Sequence, residues 1–175
     1  MNREYTCCFF GHRKINETPA LIKKVTETTI ELIENCKVTT FLFGSKSDFD
    51  SLCLKVVSDL KERYPYIKRV YVRAAYPDIS ESYTDYLLES YEETYYPERL
   101  RNSGKASYVE RNQEMIDKSD FCIVYYDESY KPPRRKNSRR DLFDYHPKSG
   151  TALALNYAKQ RKKNIIYANI IKSID

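Results

Sequence analysis

The chain has no tryptophan, only four glycines among its 175 residues, and no CxxC pair among its five cysteines. An odd number of cysteines without that spacing argues against a disulfide framework or a zinc ribbon, and it favours a reducing, cytoplasmic compartment. No apolar run approaches the roughly 18 residues that a membrane-spanning helix needs. We therefore expect a cytoplasmic protein with no membrane partner.

Positive charge is concentrated in one segment. The formal net charge is +5, yet residues 131–140 alone carry six Lys or Arg and no acid. Residues 77–97 carry the opposite charge, with six acids, five tyrosines and no Lys or Arg. Because the rest of the chain is close to neutral, the charge does not imply a protein that coats nucleic acid. We expect the basic loop at 131–140 to meet the acidic stretch, within one chain or across a homodimer, in preference to DNA.

Short apolar runs alternate with amphipathic segments along the chain. Strands are predicted at 6–10, 38–43, 67–72, 121–126 and 165–168, and helices at 19–36, 49–60, 83–95, 108–116 and 151–160. Strands that alternate with helices favour right-handed crossovers and a parallel sheet covered on both faces. The prediction is one domain over residues 1–175, an α/β fold of the Rossmann-like three-layer α/β/α type, with a mainly parallel sheet of about five strands.

Three of the four glycines, Gly11, Gly44 and Gly150, lie at predicted junctions that lead into helices. In an open parallel sheet such junctions gather at the carboxyl edge, where ligands bind at the point of strand-order reversal. Glycine lets backbone N–H groups approach an anion, and the helix N-terminus behind it adds unpaired donors. The sequence contains no GxGxxG and no GxxxxGK[ST], so it has neither an ordinary dinucleotide-binding fingerprint nor a P-loop. The three junctions together still predict a phosphate-binding crevice, although turns and caps use the same residues.

Polar side chains beside the first two glycines are candidate ligand contacts. Arg13 can grip a phosphate with paired donors, and His12 can donate a hydrogen bond or stack on a base. The second junction offers Ser45, Lys46 and Ser47 for phosphate or ribose. Asp48 or Asp50 can accept from ribose hydroxyls, but either is also a natural helix N-cap, and we expect at least one of them to be the cap.

The third junction places two hydroxyls, those of Ser149 and Thr151, beside the first N–H groups of a helix. A plain capping role is the alternative for either hydroxyl. Arg111 and Asn112 precede the strand that begins at Phe121. A helical arginine is ordinarily a solvated surface charge, so a ligand role for Arg111 depends on the surrounding motif.

These segments resemble, in order, the SLOG superfamily. The residues that carry the resemblance are CCFFGHR at 7–13, FLFG at 41–44 followed by Asp48, ERN at 110–112, and KSGT at 148–151. It extends over nearly the whole chain and is closest to small bacterial stand-alone members. SLOG includes the SMF/DprA DNA-processing proteins and the LOG nucleotide phosphoribohydrolases. The resemblance implies a Rossmann-like fold that binds nucleotides or nucleotide-derived ligands, with Arg111 as a ligand-binding arginine and Gly150-Thr151 as the matching GT pair.

The chain departs from the LOG enzymes at two positions. Asn112 stands where a Lys is usual, and residues 152–155, ALAL, occupy the stretch where LOG enzymes place a catalytic Glu. Cleavage of an N-glycosidic bond needs a carboxylate to stabilise the developing cation or to activate water. We therefore predict a protein that binds, and senses, a nucleotide or nucleotide-derived phosphorylated ligand, with no cofactor and no metal. A LOG-like nucleoside-monophosphate phosphoribohydrolase and a DprA-like nucleic-acid-binding protein remain open alternatives.

Overall fold

The apolar runs form parallel strands, and the amphipathic segments form helices between them. The fold is given by a computed structural model that describes residues 4–44, 46–131 and 149–169. The elements are β1 (Tyr5–Gly11), α1 (Pro19–Glu34), β2 (Val38–Phe43), α2 (Asp48–Leu60), β3 (Lys68–Val72), α3 (Glu81–Leu88), β4 (Glu93–Tyr95), α4 (Lys105–Lys118), β5 (Phe121–Tyr125), α5 (Gly150–Gln160) and β6 (Asn164–Tyr167).

The strands form one sheet in the order β4-β3-β2-β1-β5-β6, and each neighbouring pair is parallel. The chain moves outward from β1 in one direction through β2, β3 and β4, and then returns to the other side of β1 with β5. Strand order therefore reverses between β1 and β5. The carboxyl ends of these two strands form the topological switch point, where open α/β sheets bind their ligands.

Two hydrophobic cores lie on opposite faces of the sheet. Successive side chains of a strand point to opposite faces, so Cys7 and Phe9 enter one core while Cys8 and Phe10 enter the other. Helices α1 and α2 cover the first core, and α4 and α5 cover the second. The predicted three-layer α/β/α architecture with a parallel sheet is confirmed, with six strands in the described residues.

The acidic stretch does not form the single helix predicted over 83–95. Helix α3 ends at Leu88, Tyr91 packs against Tyr71 with ring centroids 5.1 Å apart, and Tyr95 lies in the edge strand β4. The backbone N–H of Glu92 donates to the Arg69 carbonyl at 2.9 Å. This prediction was wrong because pairing with the open edge of β3 outweighed the helical spacing of the tyrosines.

Two predicted features fall largely outside the described residues. Of the basic loop at 131–140, Lys131 alone is described, and Ser45 of the second junction is not described. Among the residues that are described, no helix combines the length and the apolar character needed to cross a bilayer.

Candidate functional site

The first two predicted junctions lie side by side at the carboxyl edge of the sheet. The backbone N–H of Asp48 donates to the Arg13 carbonyl at 2.9 Å, which joins the β1–α1 loop to the start of α2. Lys14 Nζ lies 3.4 Å from Asp48 Oδ1 in an exposed ion pair. The side chains of Arg13 and Lys46 are exposed. The edge therefore presents three cations, Arg13, Lys14 and Lys46, from two adjoining loops.

Helix α2 is capped by Ser47, which the sequence analysis predicts as a phosphate or ribose contact. Ser47 Oγ accepts the backbone N–H of Asp50 at 3.0 Å, so Ser47 is the N-cap and Asp48 is the first helical residue. The prediction that Asp48 or Asp50 is the cap was wrong, because both lie in the first turn of the helix. A serine three residues before a polar position is itself a capping signal, and the sequence contained it.

Gly11 and Gly44 are required by close packing against side chains. A β-carbon at Gly11 would lie 2.7 Å from Phe49 Cβ, and one at Gly44 would lie 2.6 Å from Arg111 Nη1. In the described part of the chain, no atom lies within 4 Å of where a β-carbon at Gly150 would stand. Packing therefore explains the first two glycines, and Gly150 alone of the three has open space beside it.

Arg111 is buried beneath the end of β2 with 3% of its surface exposed. Its Nη1 donates to the Gly44 carbonyl and, at 3.3 Å, to the Val72 carbonyl. Burial lowers the pKa of Arg111, and the nearby Asp50 carboxylate acts in the opposite direction. Asp50 Oδ2 also accepts the Gly44 N–H at 3.3 Å. Arg111 thus ties the carboxyl ends of β2 and β3 to α4, and its role as a ligand contact remains a prediction.

His12 bridges the switch point between β1 and β5. Its Nε2 accepts the backbone N–H of Asp127 at 2.8 Å, and the Tyr130 ring stacks on the imidazole with centroids 4.0 Å apart. The side chain is 1% exposed, and this burial lowers the pKa of His12 below its ordinary value of 6.5, against the influence of Asp127. His12 is therefore a neutral, buried group at pH 7.

Asp127 and Tyr130 were missed by the sequence interpretation. Asp127 Oδ1 accepts the backbone N–H of Ser129 at 2.9 Å, an Asx turn that shapes the chain just after β5. The Asp-x-Ser spacing was the available signal for this turn. Nothing in the sequence indicated that Tyr130 would reach the imidazole of His12.

The third junction opens helix α5, and it meets α4. Ser149 Oγ accepts the backbone N–H of Ala152 at 3.1 Å, so Ser149 caps the helix, and Thr151 is buried. Asn112 of α4 and Gly150 of α5 both line a cleft of about 300 Å³ between these helices. Ala154 and Leu155 of α5, in the stretch where the resemblance to the LOG enzymes would place a catalytic Glu, are buried in the second core.

The predicted residues are thus brought together in three groups. Arg13 adjoins Asp48, Gly44 adjoins Arg111, and Asn112 faces Gly150 across the cleft. The first two groups lie at the carboxyl ends of β1 and β2, and the third lies between α4 and α5. Among the described residues, no cluster of three or more His, Cys, Asp or Glu side chains is arranged to hold a metal ion.

The chain is similar to known proteins over nearly its full length. A family model described as the YspA SLOG family matches residues 3–165. Among solved structures, DNA processing protein A from Helicobacter pylori, described with a single-stranded DNA binding mode, matches with a TM-score of 0.58 and 16% identity, over 97% of this chain and 67% of that chain. No curated protein matches significantly. The structural likeness supports the fold, the match of the family model extends from before β1 into β6, and on this evidence the chain belongs to the YspA SLOG family.

Proposed function

We propose that this protein binds a nucleotide or a nucleotide-derived phosphorylated ligand at the carboxyl edge of its sheet, and that it acts as a sensor of that ligand. The observation that carries the proposal is the joining of two loops beside the switch point. The Asp48 N–H to Arg13 carbonyl bond holds them together, and Arg13, Lys14 and Lys46 project from them.

The electrostatics of these loops suit a phosphate group. Helices α1 and α2 both begin here, so their N-termini add partial positive charge to that of the three cations. Among the described residues, the acid that pairs with them is Asp48, whose carboxylate lies 3.4 Å from Lys14, with both side chains well exposed. Exposed ion pairs of this kind contribute little, so a phosphate can take the place of the carboxylate at small cost. Arg13 is without a side-chain partner among the described residues, which leaves its guanidinium available for a bidentate contact.

The amino-acid sequence of α5 favours a sensing role over hydrolysis of a glycosidic bond. The positions that match the LOG catalytic Glu carry alanine and leucine, and Ala154 and Leu155 pack into the core. Ligand binding needs the cations and backbone donors of the edge, whereas hydrolysis also needs a carboxylate near the glycosidic bond.

The decisive experiment compares Arg13→Ala with Arg63→Ala by calorimetric titration with AMP, ADP-ribose and NAD. Arg63 is a matched control because it is an exposed arginine in the turn that follows the far end of α2, where it pairs with Glu34. We expect Arg13→Ala to weaken binding roughly 10- to 100-fold, the loss of a hydrogen bond to a charged group, with no change in melting temperature. Equal affinities in the two variants would contradict the proposal, as would a wild-type protein that binds none of the three ligands.

Nucleic-acid binding is a second candidate, and the likeness to DNA processing protein A favours it. The same cations would then contact successive phosphates of a single strand, and affinity would fall steeply with salt. Fluorescence anisotropy of a labelled oligothymidine at 50 mM and 200 mM salt separates the two functions. Tight binding at the higher salt would place DNA ahead of a small nucleotide; its absence, with AMP still bound, would favour the small ligand.

A further inference from the structure

A cleft between α4 and α5 lies outside the cationic loops and has a different chemistry. Its volume is about 300 Å³, at the lower end of the range of small-molecule sites. Among the described residues, none of the side chains that line it is charged. Its polar side chains are four carboxamides, from Asn112, Gln113, Asn156 and Gln160, and Tyr157, whose hydroxyl donates to Asp117 Oδ2 at 2.8 Å.

The carboxamides have hydrogen-bonding capacity to spare. Asn112 Oδ1 accepts Arg111 Nε at 3.0 Å, which fixes the amide and leaves its NH₂ group as a donor. In the described part of the chain, no residue hydrogen-bonds to the side chain of Gln113, Asn156 or Gln160. A carboxamide offers both a donor pair and an acceptor, so this group of side chains can match a ligand edge that carries both.

The remaining wall of the cleft is apolar. Val109 of α4 and Leu153, Ala154 and Tyr157 of α5 line it, and Leu153 remains 39% exposed. An apolar wall beside uncharged amides is suited to a flat ring whose faces are apolar and whose edges are polar. Nucleobases have this character, and Asn and Gln side chains recognise base edges through paired donor and acceptor atoms.

We propose that the α4–α5 cleft binds a neutral nucleobase, with Asn156 and Gln160 hydrogen-bonded to its edge and Leu153 against its face. The inference rests on the proposed function, in which the cationic loops bind the phosphate of a nucleotide. It adds the base as a second part of the ligand that the protein recognises. The site itself carries no charge, so the base is held without help from the phosphate. Neutral nucleosides should therefore bind here, with an affinity that does not depend on salt.

The test is a titration of wild type and of the double variant Asn156→Ala/Gln160→Ala with adenosine, guanosine, cytidine and uridine. Both residues lie in α5, where alanine is a better helix former than asparagine or glutamine, so the variant should fold; circular dichroism checks this. We expect wild type to bind at least one nucleoside equally well at 50 mM and 500 mM salt, and the double variant to bind it about 10-fold more weakly. Lys159→Ala, on the same helix but outside the cleft, is the control and should bind as wild type does.

Three results would overturn the inference. The first is that wild type binds no nucleoside, and the second is that the double variant binds nucleosides as wild type does. The third is a wild-type dimer that the double variant converts to monomer in sedimentation velocity, which would make a second copy of the chain the occupant of the cleft.

The same measurements distinguish a failure of this inference from a failure of the proposed function. If AMP binds and Arg13→Ala weakens it while nucleosides do not bind, the cleft is not the base site and the phosphate site stands. If nucleosides bind through Asn156 and Gln160 while Arg13→Ala does not weaken the binding of AMP, the cleft is the base site and the proposed phosphate site is wrong.

Discussion

Gly44 and Arg111 occupy the same few ångströms at the carboxyl end of β2. Sequence reasoning connects Gly44 with phosphate, because a glycine at such a junction lets an anion approach. The structure gives it a packing role, since the Arg111 side chain fills the space in which a β-carbon would stand. The two residues are 67 positions apart, so the sequence held no sign of the contact.

Gly44→Ala should destabilise the protein by about 1–3 kcal/mol, the usual cost of forcing extra volume into a packed site. Arg111 cannot simply move aside, because its Nη1 is held by the carbonyls of Gly44 and Val72. Urea unfolding measures the loss. Gly150→Ala is the matched control, because a β-carbon there meets no atom of the described residues within 4 Å. That change should be neutral or stabilise by up to about 1 kcal/mol. Equal stability in the two variants would refute the packing role of Gly44.

His12 gives the stability of the protein a dependence on pH. Burial lowers the pKa of His12 in the folded state, so the unfolded chain binds more protons than the folded chain once pH falls towards and below 6.5. The stabilisation is present above that value and is lost as pH falls through the folded-state pKa.

The contribution of His12 is isolated by comparison with His12→Gln, whose amide oxygen can still accept the Asp127 N–H. Between pH 7 and pH 5.5, the free energy of unfolding should fall more in wild type than in the variant. Folded-state titration of Glu92 lies below this pH range. Burial acts to raise the pKa of Glu92, but hydrogen bonds from Arg69 and Lys61 outweigh it and bring the pKa to about 2. Parallel pH profiles of the two proteins would show that His12 is not the titrating group.

At the scale of elements, the start of α5 separates a structural role from a ligand role. Ser149 accepts the Ala152 N–H as an N-cap, and Gly150 beside it lines the cleft. Aspartate caps helices as well as serine does, but it adds a negative charge.

Ser149→Asp should therefore keep the melting temperature within a few degrees of wild type while weakening the binding of AMP. Ser149→Ala should do the opposite, with a loss of about 1 kcal/mol of stability and little change in affinity. Thermal unfolding and calorimetry on both variants measure the two effects. If Ser149→Asp binds AMP as wild type does, this helix start lies too far from the phosphate to belong to the site.

Most elements could be predicted because their patterns are local. Strand β2 has the predicted bounds, and α1 begins at Pro19 as its fixed φ angle favours. The exception is the acidic stretch, where Tyr83, Leu87, Tyr91 and Tyr95 follow helical spacing but α3 ends at Leu88. Edge pairing of β4 with β3 depends on residues more than 20 positions away, such as Arg69 with Glu92. No local pattern reports such a pairing.

For the whole molecule, the alternation of elements determines the architecture but not the details of the site. A parallel sheet with helices on both faces follows from the order of strands and helices, and it places the glycine junctions at one edge. It does not show which side chains of that edge are buried. Arg111 and His12 turned inward, while Arg13 and Lys46 remained at the surface. These orientations depend on contacts between distant segments, such as His12 with Asp127.

The most direct test of the account maps the binding of AMP onto the sheet by ¹H–¹⁵N NMR of the uniformly labelled protein. Backbone amides of Arg13, Lys14 and Lys46 should shift in a saturable way with added AMP. Those at the opposite edge, such as Arg63 and Lys163, should not. Shifts confined to the opposite edge, or a spectrum that AMP leaves unchanged, would contradict the claim that the carboxyl edge of this sheet is a nucleotide site.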